Sequence, residues 1–375
     1  MSEYTTELLI VGYGPAGHAA SLAARECGIG DIIVADPAPD EALGATGLHG
    51  LRQDRVISNS AGQDFLEPYG AHPDLTDRFA TQFLETPESV ALHERVAQLL
   101  GHAARRQIER GDVRHISSSV GAIALAADGF VARTVVGETI KANELVLATG
   151  GYEELLPELA ARDSERTFTS HEVLVGQRDD ALSASLDASS RVSIIGNAHS
   201  GYSIAAWLRR DYPEHTIDIV QRAPCKPFFG STAEAERYGY AVTDVDTICS
   251  ETGKINRFGG IRGVAREAWI RQHDATNPDT QLRDVRYGRE IESLRDIDPD
   301  HTVIQAVGYT PVLPQLDSPT VLSQHEDGYG LITFARDRQA LVLGVCGSSQ
   351  HGTAVYHQQA QKYFTSAATT ALVAT

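Results

Sequence analysis

Twice in this chain an apolar run breaks directly into a glycine-rich turn that opens a helix, as LLIVGYGPAG at residues 8–17 and as VSIIGNAHSG at residues 192–201. Strand, glycine turn and helix in that order form the phosphate-binding half of a βαβ unit. A chain that carries the pattern twice is expected to be an α/β protein with two Rossmann-like dinucleotide-binding domains, one dinucleotide passing electrons to the other.

The first copy has Gly12, Gly14 and Gly17 at GxGxxG spacing, with Pro15 and Ala16 between the last two. The first glycine permits the tight turn, the second lets the backbone approach a pyrophosphate, and the third allows close packing of helix on strand. The helix AGHAASLAARECG runs on to Gly28, and its N-terminal amides face the phosphates. A second β-type run, DIIVAD, then ends in Asp36, placed to accept hydrogen bonds from an adenosine ribose. The set predicts a cofactor containing ADP.

The second copy repeats the design with Gly196, Ser200 and Gly201, and with the strand TIDIV after the helix. Ala198 replaces the middle glycine. Beyond that strand the chain presents Gln221 and Arg222 where an acid would select a free ribose hydroxyl. A guanidinium there pairs with a 2′-phosphate, so NADPH is expected over NADH. Lys226 is a second, weaker anion contact.

Between the loops, residues 44–69 lack sustained periodicity and include Gln53, Asn59 and Gln63, polar groups within reach of a ring or substrate in a loop of this length. Residues 88–110 read as an amphipathic helix. Short strands are expected near 112–120, 122–126, 129–136 and 139–141, and ELVLATGG at 144–151 returns to the parent sheet, with Gly150 allowing close approach to a cofactor. A polar turn containing Asn256 precedes a basic, aromatic helix carrying Arg262, Arg266 and Arg271. A strand ends near Gly308 and Tyr309, and the last segment supplies a strand, a glycine-bearing loop and a terminal helix that completes the first domain. The expected division is therefore 1–175 for the first part of the FAD domain, 176–295 for an inserted NADPH domain, and 296–375 for the C-terminal part of the FAD domain.

Composition narrows the classes of function. With 32 basic against 50 acidic side chains the net charge is −18, which opposes binding to a phosphate backbone, so nucleic acid is not an expected partner. No apolar run reaches the roughly 18 residues of a membrane span, and no basic region precedes the first apolar run, so neither membrane nor export is expected and cytoplasm is the default. The four cysteines are scattered without a CxxC, which excludes a thiolate zinc site and the paired redox centre of disulfide reductases. No metal site is expected.

The segments VGYGPAG, GNAHSG, FTSHEVL, KINRFGGI, AVGYTP and SQHGTAV, in this order, resemble the N-hydroxylating flavoprotein monooxygenases, the lysine and ornithine hydroxylase-like branch of class B. The resemblance implies that Gly12, Gly14, Pro15, Ala16, Gly17 and Asp36 hold FAD. It implies likewise that Gly196, Ser200, Gly201 and Arg222 hold NADPH. Asn256 would contact nicotinamide or substrate, and His351 and Gly352 would form the loop beside the flavin and the amine pocket. Three departures stand out: Val307 where the family carries the threonine of its ATGY segment, His171 where a small serine is common, and no FxGxxxHxxxW signature. The implied chemistry is reduction of FAD by NADPH, capture of molecular oxygen as a flavin hydroperoxide, and N-hydroxylation of a small organic amine or amino acid, in a protein for which a homo-oligomer is open. Oxygenation of sulfur or of a ketone, an NADPH:acceptor reductase, and a nucleotide-binding regulator without turnover are the alternatives.

Overall fold

The computed structural model describes residues 2–39, 42–45, 50–52, 54–55, 66–76, 93–250, 252–257, 259–317, 321–348 and 353–373. The first lobe opens with β1 (Glu3–Val11), α1 (Pro15–Glu26) and β2 (Ile32–Ala35), then α2 (His93–Glu109), β3 (Arg114–Ile116), β4 (Val120–Leu125), β5 (Phe130–Thr134) and β6 (Thr139–Leu147). β1 lies between β2 and β6, parallel to both, and β4, β5 and β6 form an antiparallel meander. Leu8, Leu9, Ile10 and Val11 are buried on both faces of the sheet, which is why this strand reads as a continuous apolar run rather than an alternating one.

The chain leaves this sheet through β7 (Gly151–Tyr152) and enters the second lobe by α3 (Pro157–Ala160), β8 (Thr167–Thr169), α4 (Ser170–Val175) and α5 (Asp179–Ala188). There follow β9 (Arg191–Ile195), α6 (His199–Asp211), β10 (Thr216–Gln221), α7 (Thr232–Arg237), α8 (Gly263–Gln272), β11 (Leu282–Arg286) and β12 (Thr302–Gln305). The second sheet has the order β11-β10-β9-β12-β8, all parallel. Its core packs Ile194, Ile217 and Ile304 against Tyr202, Trp207 and Trp269 of the covering helices.

The chain returns through β13 (Thr310–Pro311), antiparallel to β7, and completes the first sheet with β14 (Gln315–Leu316), β15 (Val321–Gln324), β16 (Gly330–Thr333) and β17 (Gln339–Val342). β17 pairs with β6, and α9 (Thr353–Val373) packs on α1. Ala16, Ala19, Ala20 and Ala23 of α1 share a core with Tyr356, Ala360, Tyr363 and Phe364 of α9, small side chains on one helix admitting large ones from the other. The second lobe is thus inserted in the first. Its sheet takes in residues 167–169 and 302–305, beyond the 176–295 span expected from sequence. A three-residue strand such as TFT carries too short an apolar signature to be assigned to a sheet before its neighbours are known.

Candidate active site

Both glycine loops are built by the same close contacts. Gly12 has φ of +92°, and a Cβ there would overlap the carbonyl of Ala148 at the end of β6. Gly196 has φ of +114°, and a Cβ there would overlap the carbonyl of Ala306 after β12. Gly17 and Gly201 each press on the carbonyl of the first glycine of their own loop, leaving no room for a side chain. The middle position differs: Gly14 (φ −76°, ψ −168°) and Ala198 (φ −86°, ψ −166°) are both extended, a conformation any residue adopts. That explains how alanine replaces glycine in the second loop without changing its path.

The helices that follow these loops have bare N-termini. Neither Gly14 nor Ala198 caps its helix through a side chain, and neither first turn contains an acid. By contrast Thr169 caps α4 in a reciprocal capping box and Ser231 caps α7. The uncapped amides of α1 and α6, where Ser200 lies in the first turn, are left to an anionic ligand.

Asp36 is buried beyond β2, its carboxylate accepting from the Tyr13 N–H at 2.5 Å and the Ala38 N–H at 2.7 Å. It still lines a cleft of about 320 Å³ together with Gly12, Gly14, Pro15, Ala16 and Gly150. The far wall of that cleft comes from sequence-distant segments, His171 at the start of α4, Tyr309 on the return crossing, and Tyr356 of α9. The rings of His171 and Tyr309 meet edge to face, with centroids 6.4 Å apart. At Gly150 a Cβ would enter open space, whereas at Gly151 it would strike Thr310, Val345 and Tyr309. Tyr152, Val307, Tyr309, Val312 and Val345 are exposed apolar side chains on the two crossings and the neighbouring turn, an apolar surface suited to a ring face.

Among the groups behind this wall, Glu153 is half-buried and burial pushes its carboxyl up to about 7, against the opposing hydrogen bonds it accepts from His171 and Ser170. Burial, and then the neighbouring Glu153, raise the Tyr309 phenol as well. The Cys346 thiol lies 2.8 Å from the Gly150 carbonyl and is also raised by burial.

At the second loop Asn197 donates to Gln221 at 2.5 Å and to the Ala223 carbonyl at 2.6 Å, while Arg222 is exposed with its guanidinium 5.4 Å from the Tyr287 ring centroid. Asn256 lies elsewhere. It is buried at φ of +52°, donates to Asp246 at 2.8 Å and to Pro227 at 3.1 Å, and accepts from the Thr247 N–H at 3.1 Å. Its amide is engaged within the second lobe, and the turn it holds sends Arg257 toward Glu67 of the first lobe at 3.4 Å. A further link between lobes runs through Arg55, which pairs with Asp179 at 2.7 Å and lies 4.1 Å over the Trp207 ring. His351 and Gly352, like Gln53, Asn59 and Gln63, lie outside the described residues.

Sequence reading missed Glu153, whose partners are 17 and 18 residues away. It also missed Tyr356, hidden within a long helix. Neither carries a local signal. Among the described residues no His, Cys, Asp and Glu group suits a metal ion, and no helix is long and apolar enough to cross a membrane.

The sequence matches no family model. A CMP-5′-(3-aminopropyl)phosphonate hydroxylase of Streptomyces rubellomurinus is 28% identical over 311 residues, covering 71% of this chain and 67% of that protein. Among solved structures, an ornithine N-hydroxylase of Kutzneria sp. 744 superposes over 96% of this chain and 98% of its own, with a TM-score of 0.63 at 16% identity. L-lysine 6-monooxygenase of Pseudomonas syringae does so over 96% and 98%, with a TM-score of 0.58 at 17% identity. These likenesses join the two-lobed architecture and the paired loops to one family. In sequence and in fold the chain is similar to the class B flavin monooxygenases. It is an enzyme that uses FAD and NADPH, with the two-lobed α/β topology of those structures. The shape fits this monooxygenase's cofactors: two cradles that a Cβ would fill and two bare helix ends.

Proposed function

We propose that this monooxygenase N-hydroxylates a small primary amine, and that the amine is carried on an anionic group. What carries the reading is that its sequence relative is named for hydroxylation of an aminopropylphosphonate linked to CMP, while the two fold relatives are named for ornithine and lysine. Gly12, Gly14, Pro15, Ala16 and Gly17 hold the FAD pyrophosphate on the end of α1, Asp36 takes the ribose, and Gly150 leaves the room a ring needs. Gly196, Ser200 and Gly201 hold NADPH on the end of α6, and Arg222 takes its 2′-phosphate. His351 and Gly352 complete the flavin side on sequence grounds. Asn256 serves the site by holding the turn that bears Arg257.

The flavin, once reduced by NADPH, supplies the activation of oxygen. The chain's own part is positional. The apolar crossings exclude water from the ring face, and the closely packed loops fix where the two dinucleotides lie. An amine must give up its proton to be a nucleophile, so the site favours a substrate presented neutral at an apolar wall. A cytoplasmic setting is the reading that four scattered cysteines without a CxxC and the use of NADPH support.

The test is anaerobic reduction by NADPH, then mixing with oxygen, followed by absorbance. Products are assayed with 3-aminopropylphosphonate, its CMP ester, ornithine and lysine. A hydroxylamine coupled to NADPH consumption supports the reading. Oxygenated thioethers or ketones without any hydroxylamine would sink the amine assignment, and rapid reduction of a quinone with no oxygenated product would make the protein a reductase.

A further inference from the structure

Glu153 stands on the crossing that leads out of the first lobe, beside Glu154, which accepts from the Tyr152 hydroxyl, and Glu153 is at the same time a ligand of the helix that carries His171. Its oxygens accept from the Ser170 hydroxyl at 3.1 and 3.0 Å, and one of them accepts from the His171 backbone N–H at 2.7 Å. The remaining polar groups at this helix start are committed elsewhere, because Thr169 and Glu172 satisfy each other in the capping box. The first turn of α4 is therefore anchored to the crossing by this single carboxylate. His171 projects from that turn into the cleft and meets Tyr309, which comes from the return crossing.

We propose that Glu153 is a positioning residue of the active site, holding the backbone of His171, and through its contact with Tyr309 the cleft wall, in the arrangement that lets NADPH reduce the flavin. The inference rests on the reading of the site as an FAD and NADPH cleft. The ionised carboxylate accepts from both donors at once. The neutral acid turns one oxygen into an O–H and loosens the anchor. The charged and titratable groups near it are Tyr152 and Glu154 on its own crossing, His171 and Glu172 on α4, Tyr309 on the return crossing, and Arg178, which lies 3.5 Å from Glu172. Among the described residues no lysine or arginine forms an ion pair with Glu153 itself. Burial without a cation, reinforced by Glu172, places its titration near neutrality at about 7.

The experiment compares the wild-type holoenzyme with Glu153→Gln and Ser170→Ala, measuring flavin absorbance, the anaerobic rate of reduction by NADPH from pH 6 to 8.5, and melting temperature over pH 5 to 8. Wild type is expected to gain roughly fivefold in reduction rate across an inflection near pH 7. Glu153→Gln is expected to keep its flavin, to match wild type at pH 6, and to lack the inflection. Ser170→Ala removes a hydrogen bond that favours the ionised form and is expected to move the inflection upward. An inflection that persists in Glu153→Gln, or that stays in place in Ser170→Ala, overturns the proposal. Melting separates this from the functional reading. If wild type binds no flavin or is not reduced, the reading of the site fails. The melting difference between Glu153→Gln and wild type still reports the carboxylate. It opens in favour of the variant as pH rises through 5 to 7 if Glu153 titrates there, and a constant difference overturns the proposal.

Discussion

Gln221 holds in the second lobe the place that Asp36 holds in the first. The register is set by one hydrogen bond repeated in each loop: Gly12 N–H to the Ala35 carbonyl and Gly196 N–H to the Val220 carbonyl, each 2.9 Å. Asp36 and Gln221 are the next residues. Where the carboxylate accepts from the Tyr13 backbone, Gln221 accepts from the Asn197 side chain. The second loop is thereby closed without a negative charge, and Arg222 follows immediately.

Replacing Arg222 with alanine is expected to raise KM for NADPH about 10- to 100-fold, the loss of one charge-assisted contact, while KM for NADH changes little. Gln221→Asp should push in the same direction by bringing a carboxylate against the 2′-phosphate. Steady-state oxidation of the two nucleotides measures both, and equal losses with NADPH and NADH would place Arg222 away from the phosphate.

The two loop-closing glycines should fail in different ways. In Gly17→Ala the methyl group must displace the Gly12 backbone, at a cost of about 2–3 kcal/mol, and the purified protein should lose flavin absorbance. Gly201→Ala should keep its yellow colour and lose reduction by NADPH. Ala198→Gly, at an extended position, should change the reduction rate less than about twofold.

Asn256→Ala is expected to destabilise the fold by about 2–4 kcal/mol, because it strands the partners of a buried amide and puts alanine at φ of +52°. Denaturant unfolding measures this. A variant of wild-type stability with slowed reduction would instead show that the amide acts on nicotinamide.

Acid should weaken the first lobe through His18. Burial drives this imidazole down to about 3, and it sits 2.8 Å from the Tyr69 hydroxyl. Below the ordinary histidine value of about 6.5 the unfolded chain takes up a proton that the native protein refuses, so stability falls as pH drops from 6.5 toward 3. By pH 4 the loss is on the order of 3 kcal/mol. His18→Gln should show a shallower loss of denaturant midpoint between pH 7 and 4, and an unchanged slope would mean that His18 is protonated in the folded protein.

What could be read from the sequence was whatever is dictated locally. The glycine turns announce themselves because φ near +90° and contact with a neighbouring carbonyl admit no other residue, and Asp36 follows at a fixed distance along one βαβ unit. The cleft itself was partly visible, since Gly150 and Tyr309 end recognisable strands. Asn256 carries two readings, because asparagine suits an active site and a left-handed turn equally well, and its bonds to Asp246, Pro227 and Thr247 speak for the turn. Glu153 was illegible for the opposite reason. An acid after ATGG looks like any surface residue until the chain returns with Ser170 and His171.

The entry and exit of the inserted lobe lie side by side, Gly151 opposite Pro311 and Tyr152 opposite Thr310. The ribbon runs along the rim of the cleft, where a side chain at Gly151 would meet Tyr309 and the Thr310 carbonyl. A chain that leaves and re-enters through one paired ribbon ties the inserted lobe to the first at one place along its backbone, and that place is the edge of the cleft.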